Sequence, residues 1–178
     1  KSDDAKIVFL TTPNNPTGNS TDISLIEKLA GGLMSRGALL VVDEAYAEFS
    51  DEQSAVTLIE KYPQVVVIRT MSKAFSFAGV RLGYLVADPA VIDALFLVRL
   101  PYHLSAITQA AAEVALEFQG ELLGNVSTLI AQREWVKAEL EEIGLSVVPS
   151  KSNFLLFSGF DIPAPELWKS LLDAGVLI

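Results

Sequence analysis

The sequence predicts an α/β fold, a mostly parallel sheet flanked by helices, followed by a smaller α+β unit. Three observations carry that prediction. Apolar runs at Ile7-Val8-Phe9-Leu10, Ala38-Leu39-Leu40-Val41-Val42 and Val65-Val66-Val67-Ile68 are short and lack the polar alternation of a half-solvated strand. Each run gives way to polar residues or turn punctuation at its carboxyl end. Helical stretches separate the runs, and the order strand, helix, strand, helix, strand favours parallel pairing through right-handed crossovers.

The first strand, Ile7 to Leu10, stops at Thr12-Pro13-Asn14-Asn15-Pro16-Thr17-Gly18, a loop by composition. A helix follows, with Ser24 and Glu27 as a capping box and Leu25, Ile26, Leu29 and Leu33 at helical spacing up to Gly37. The second strand, Ala38 to Val42, closes at Asp43-Glu44. Leu58 to Tyr62 reads as the tail of a second helix, and Val65 to Ile68 as a third strand ending at Arg69-Thr70. Leu82-Gly83-Tyr84-Leu85-Val86 is a fourth strand. Its connection is too short for a helical crossover, so it should run antiparallel to its predecessor and make the sheet mixed. Helices are predicted from Val91 to Leu100, from Ser105 to Phe118 and from Leu122 to Ile143, with a break at Pro101-Tyr102-His103 and Gly144 as the final C-cap. Strands return at Leu145 to Val148 and Phe154 to Phe157, before a helix from Pro165 to Ala174. The chain thus divides into residues 1–120 and residues 121–178, the second holding a connecting helix and the smaller unit. It opens on Lys1 and stops on the apolar run Gly175-Val176-Leu177-Ile178, where a strand is expected to start or continue. The ends read as cut.

With 178 residues, 51% of them apolar, the chain has ample material for a core. A net charge of −9 without a basic patch speaks against nucleic acid and anionic lipid surfaces. The longest apolar runs fall far short of the roughly 20 residues of a membrane helix, and no signal peptide opens the chain, so a soluble protein is expected. Cysteine is absent, which removes disulfides and thiolate sites and fits a cytoplasmic location. The lone histidine, His103, argues against zinc and reads as a loop residue. Glu44, Glu48, Asp51 and Glu52 form an acidic cluster that reads as a solvated face rather than a metal site. Trp135 and Trp168 read as packing or interface anchors. Dinucleotide and P-loop glycine motifs are missing.

Ligands of open α/β sheets bind at the carboxyl ends of the strands. Here three such ends carry Asn14-Asn15-Pro16-Thr17-Gly18, Asp43-Glu44-Ala45-Tyr46 and Thr70-Met71-Ser72-Lys73, the last followed by Arg81. A lysine amine can form a Schiff base with an aldehyde cofactor, a carboxylate can hold a pyridinium proton, and hydroxyls with an arginine can cradle a phosphate. Pyridoxal 5'-phosphate needs all three.

The runs Pro13 to Gly18, Val42-Asp43-Glu44-Ala45-Tyr46-Ala47-Glu48-Phe49 and Arg69 to Tyr84, in this order and at these separations, resemble fold-type-I pyridoxal-phosphate-dependent aminotransferases, and among them the histidinol-phosphate branch. The resemblance extends over the whole chain. It implies Lys73 as the Schiff-base lysine and proton carrier, and Asp43 as partner of the pyridine nitrogen. Asn15 and Tyr46 would bond the phenolic oxygen, with Thr70, Ser72 and Arg81 on the phosphate. The Asn15-Pro16 bond is expected to be cis. The resemblance further implies a homodimer, with histidinol phosphate and glutamate or 2-oxoglutarate as substrates. Related aminotransferases for aromatic or other amino acids, and threonine-phosphate decarboxylases, would keep the same residues. A non-enzymatic cofactor-binding regulatory module is the reading from another class. Family members are about twice this length, as two ordinary domains require, so the 178 residues alone are expected to be inactive.

Overall fold

The β-branched runs form the strands expected of them in the computed structural model, which describes residues 4–178. Strands β1 (Ile7–Thr11), β2 (Leu39–Asp43) and β3 (Val65–Thr70) are parallel, and β4 (Gly83–Val86) lies antiparallel to β3. The sheet order is β1-β2-β3-β4, mixed as anticipated. Its register brings the polar strand ends side by side: Thr11 lies opposite Asp43, and Asp43 opposite Ile68.

Between β1 and β2, helix α1 (Ile23–Met34) turns Ile26, Ala30 and Leu33 onto the sheet, where they pack with Leu40, Val42, Val65 and Val67. These side chains alternate along the strands, so one face of β2 and β3 is continuous core. The helix is not capped by Ser24 and Glu27. Asp22 is the N-cap, its Oδ1 accepting the Ser24 N–H at 2.7 Å, while Glu27 accepts from Lys61 Nζ at 2.7 Å. An aspartate one position before the helix closes a shorter ring to the free N–H groups than the box would, and so wins the position.

The link from β2 to β3 also differs from expectation. In place of a helix ending at Tyr62 there are two 3₁₀ turns, Ala47–Phe49 and Ala55–Leu58. Ser54 caps the second turn through the Val56 N–H at 3.2 Å, and Pro63 stops any helical continuation. The strands remain parallel because the turns still carry the chain back across the sheet.

Beyond β4 come α2 (Pro89–Val98), α3 (Ala106–Glu117) and α4 (Gln119–Glu142), with Asp88 and Ser105 as N-caps of the first two. Phe118 caps the end of α3 and the start of α4, which begins at Gln119, three residues before the predicted start. Gly144 follows α4 at φ +89°, the left-handed conformation that ends helices. A two-stranded antiparallel sheet pairs β5 (Ser146–Val148) with β6 (Leu156–Ser158), and α5 (Ala164–Asp173) follows. Val176 to Ile178 join neither sheet. A second apolar cluster gathers Tyr46, Phe49, Met71, Ala74 and Phe75 with Ala115 of α3 and Val126 of α4, so the loops after β2 and β3 rest on the helices. Among the described residues no helix is long and apolar enough to cross a membrane.

Candidate active site

Three loops leave the carboxyl edge of β1, β2 and β3, and each carries part of the expected set. The loop after β1 contains two cis peptide bonds, Thr12-Pro13 and Asn15-Pro16, of which the second was anticipated. Asn15 stands exposed at its tip and donates through Nδ2 to Tyr46 Oη at 3.2 Å. Three bonds from or to Asn14 hold the base of this loop: Asn14 Nδ2 donates to Thr17 Oγ1 at 2.9 Å, the Gly18 N–H to the Asn14 carbonyl at 2.6 Å, and the Asn14 N–H to the Asn19 carbonyl at 2.8 Å.

Asp43 is the last residue of β2 and is half-buried. Its Oδ1 accepts the Ala45 N–H at 3.1 Å, a short side-chain turn that aims the backbone toward Tyr46. Tyr46 is buried, and its ring meets Phe154 edge to face at 5.2 Å. Lys73 Nζ lies 5.4 Å from the Tyr46 ring centroid, close enough for a cation–π contact. Asn15, Tyr46 and Lys73, drawn from three loops, therefore form one connected group.

After β3 the chain makes a tight loop closed by Met71 N–H to Leu82 carbonyl at 3.1 Å and Phe77 N–H to Met71 carbonyl at 3.0 Å. Met71, Ala74 and Phe75 are buried beneath it, which pushes Lys73 outward to an exposed position. Thr70 Oγ1 accepts the Ser72 N–H at 3.1 Å and donates to the Leu82 carbonyl at 3.3 Å, bringing the two hydroxyl-bearing residues into one turn. Arg81 adjoins Leu82 at the far end of that loop, in a left-handed conformation (φ +57°), and Nη1 donates to the Ala78 carbonyl at 3.1 Å. Its guanidinium is exposed and makes no described contact with Ser72 or Thr70. An amine, a carboxylate, an amide–phenol pair, two hydroxyls and a guanidinium thus occupy one edge of one sheet, the donor set that a phosphorylated pyridine aldehyde requires.

Two features escaped the sequence reading. Glu44 is not solvated: it is 3% exposed, and its carboxylate takes the Ala55 N–H at 2.7 Å, the Ser54 hydroxyl at 2.7 Å and Arg69 Nη2 at 2.7 Å. Glu48 pairs with Arg69 Nη1 at 2.9 Å. Glu44 and Glu48 of the acidic cluster thus join Arg69 in a largely buried ion network, while Asp51 and Glu52 stay exposed as expected; no metal-binding group of acidic or histidine side chains exists among the described residues. Burial, the largest influence on Arg69, opposes its charge, yet Glu44 and Glu48 outweigh it and hold the guanidinium above its ordinary pKa. The second feature is the contact of the loop at 149–154 with the site. Lys151 N–H donates to the Gly18 carbonyl at 2.8 Å, and Asn19 Nδ2 to the Pro149 carbonyl at 3.3 Å. Arg133 of α4 braces this loop by donating to the Ser152 carbonyl at 2.7 Å. His103 is an exposed loop residue, while Trp135 and Trp168 are half-exposed and anchor no core.

The fold is that of a known class of enzymes. The chain belongs to the family described as aminotransferase class I and II, whose family model matches residues 1–178. A histidinol-phosphate aminotransferase of Mycolicibacterium smegmatis is 56% identical over 173 residues, which are 97% of this chain and 45% of that protein. The solved histidinol-phosphate aminotransferase of Sinorhizobium meliloti, in complex with pyridoxal-5'-phosphate, superposes with a TM-score of 0.87 at 31% identity over 98% of this chain and 48% of that one. An L-threonine-O-3-phosphate decarboxylase of Porphyromonas gingivalis shares the fold, with a TM-score of 0.86 at 24% identity over 97% of this chain and 54% of that one. The chain spans just under half the length of the curated relatives it matches.

Proposed function

We propose that this chain forms the cofactor-binding part of a pyridoxal-phosphate-dependent aminotransferase that moves an amino group between histidinol phosphate and 2-oxoglutarate, with glutamate as the other amino partner. In this reading residues 1–120 are part of the larger, cofactor-binding unit and residues 121–178 supply the connecting helix and part of the smaller one. The working form is a cytoplasmic homodimer.

When bound, pyridoxal phosphate supplies an aldehyde carbon and a ring that withdraws electrons from the reacting centre. Asp43 would hold the proton on the ring nitrogen, and the Asn15–Tyr46 pair would orient the phenolic oxygen. Thr70, Ser72 and Arg81 would hold the phosphate, Arg81 through the guanidinium N–H groups not given to the Ala78 carbonyl. Lys73 Nζ would anchor the aldehyde carbon and would serve as the base that carries a proton to and from the substrate carbon. The observation that carries this reading is the joining of Asn15, Tyr46 and Lys73 beside Asp43 at the sheet edge. Identity of 56% to histidinol-phosphate aminotransferases favours that substrate over the decarboxylase reading, which rests on fold alone.

Incubation with pyridoxal phosphate, reduction with borohydride and peptide mass spectrometry test the proposal. A single pyridoxyl adduct on Lys73, lost in Lys73→Ala, is expected. Labelling scattered over surface lysines would overturn the site assignment. Grafting the 178 residues into the full-length Mycolicibacterium smegmatis relative then tests the substrate, with turnover of histidinol phosphate as the readout.

A further inference from the structure

Side chains alternate along β2 and β3, so Leu40, Val42 and then Glu44 share one face with Val65, Val67 and then Arg69. Asp43 and Thr70 fall on the opposite face. Each lies next in sequence to a member of the ion pair: Asp43 precedes Glu44, and Thr70 follows Arg69. The Glu44 N–H to the Ile68 carbonyl, at 2.9 Å, continues the β2–β3 ladder beyond the last paired residues. From there the two strand ends are held together by side chains. Arg69 uses its whole fork: Nε and Nη2 reach Glu44 Oε2 at 3.0 and 2.7 Å, Nη2 also reaches Ser54 Oγ at 3.1 Å, and Nη1 reaches Glu48. A buried pair of this kind is a weak source of stability compared with apolar packing, while its fixed geometry specifies where its neighbours stand.

We infer that the Glu44–Arg69 pair is a positioning device, pinning the ends of β2 and β3 from the reverse face of the sheet and so setting the span between the Asp43 carboxylate and the Thr70–Ser72 turn. Resting on the proposed function, this makes the pair the gauge for a cofactor held at its ring nitrogen by one strand end and at its phosphate by the next. Both residues act through their neighbours and touch no reacting atom.

Arg69→Lys tests the inference, because a lysine keeps the charge but cannot span Glu44, Ser54 and Glu48 together. In the chain without cofactor, amide exchange at Glu44 and Met71 should quicken about tenfold while Leu40 and Val67 keep their protection. Pyridoxal phosphate should bind about fivefold more weakly or worse, and the pH midpoint of the bound cofactor's absorption should move by about half a unit. Leu33→Ala, a core truncation at the end of α1 beside the amino end of β2, serves as the destabilised control and should leave affinity and midpoint within about twofold of the parent. Strand-end exchange unchanged in Arg69→Lys would overturn the inference, as would an equal loss of affinity in Leu33→Ala. Failure of the parent chain to bind pyridoxal phosphate would instead strike the proposed function, and the exchange measurement would then decide the pinning alone.

Discussion

Asn15 and Tyr46 meet through one hydrogen bond, Nδ2 to Oη at 3.2 Å, across 31 positions of sequence. That bond ties the loop after β1 to the loop after β2, and Tyr46 in turn lies beside Lys73. Tyr46→Phe keeps the ring that packs on Phe154 and removes only the hydroxyl. It should cost about 0.5–1.5 kcal/mol in urea denaturation. Spectrophotometric titration should show pyridoxal phosphate bound severalfold more weakly, with the pH midpoint of its absorption displaced.

Arg81 is proposed to grip a phosphate, so its removal should discriminate between ligands that carry one and ligands that do not. Charge-assisted contacts contribute about 1.5–3 kcal/mol, which corresponds to roughly ten- to hundredfold in affinity. Arg81→Ala should weaken pyridoxal phosphate by that factor and leave unphosphorylated pyridoxal within about twofold. Equal losses for both ligands in fluorescence titrations would count against the assignment.

Gly18 has φ +76°, and a Cβ built there would run into the Ser150 side chain, with the Ser150 Cα only 3.0 Å away. Gly18→Ala should therefore cost about 2–4 kcal/mol, from left-handed strain together with the collision. Urea denaturation would read the loss. Faster tryptic cleavage after Lys151, whose N–H bonds the Gly18 carbonyl, would show where it acts.

The Glu27–Lys61 pair links α1 to the turn before β3 and has a defined pH window. The hydrogen bond from Lys61 lowers the Glu27 carboxyl below 4.5, so that contribution is full above the unfolded value and fades as pH falls through the folded one. The hydrogen bond to Glu27 raises Lys61 above 10.5, so its contribution is full below that value and is lost as pH rises past the folded one. The stability difference between the parent and Lys61→Ala should thus be flat between pH 4.5 and 10.5 and vanish at both extremes. Both groups are exposed, so added salt should shrink the difference. Thermal melts across pH at two ionic strengths would measure it.

The strands were legible because short Val-rich runs closed by polar residues leave few other conformations open, and the short link to β4 dictated its direction; cover on both faces was not met, since Ile7 and Phe9 of β1 are exposed. Local competition hid the cap of α1, where Asp22 reaches the Ser24 N–H before the Ser24–Glu27 box can form. In the β2–β3 link, side-chain caps and Pro63 broke up a helix that spacing alone suggested. The candidate site residues stand out through their chemistry at strand ends, whereas the side chains that support them do not. Glu44 and Glu48 resembled a solvated face because their counter-charge, Arg69, lies 25 and 21 residues further on. Phe154 carried no polar signal, and its contact with Tyr46 exists only after the chain folds back.

The brace on the loop after β1 has a consequence for the order of events during synthesis. Pro149 receives the Asn19 amide from 130 residues upstream, and Phe154 reaches Tyr46 over a similar span. A nascent chain that has delivered β1 to β4 already holds the lysine, carboxylate, hydroxyls and guanidinium, yet its amide and phenol stand unsupported. Contacts so distant in sequence form late. Under the proposed function, the Asn15–Tyr46 side of the cofactor site would be braced only once residues 149–154 have been made and folded against it.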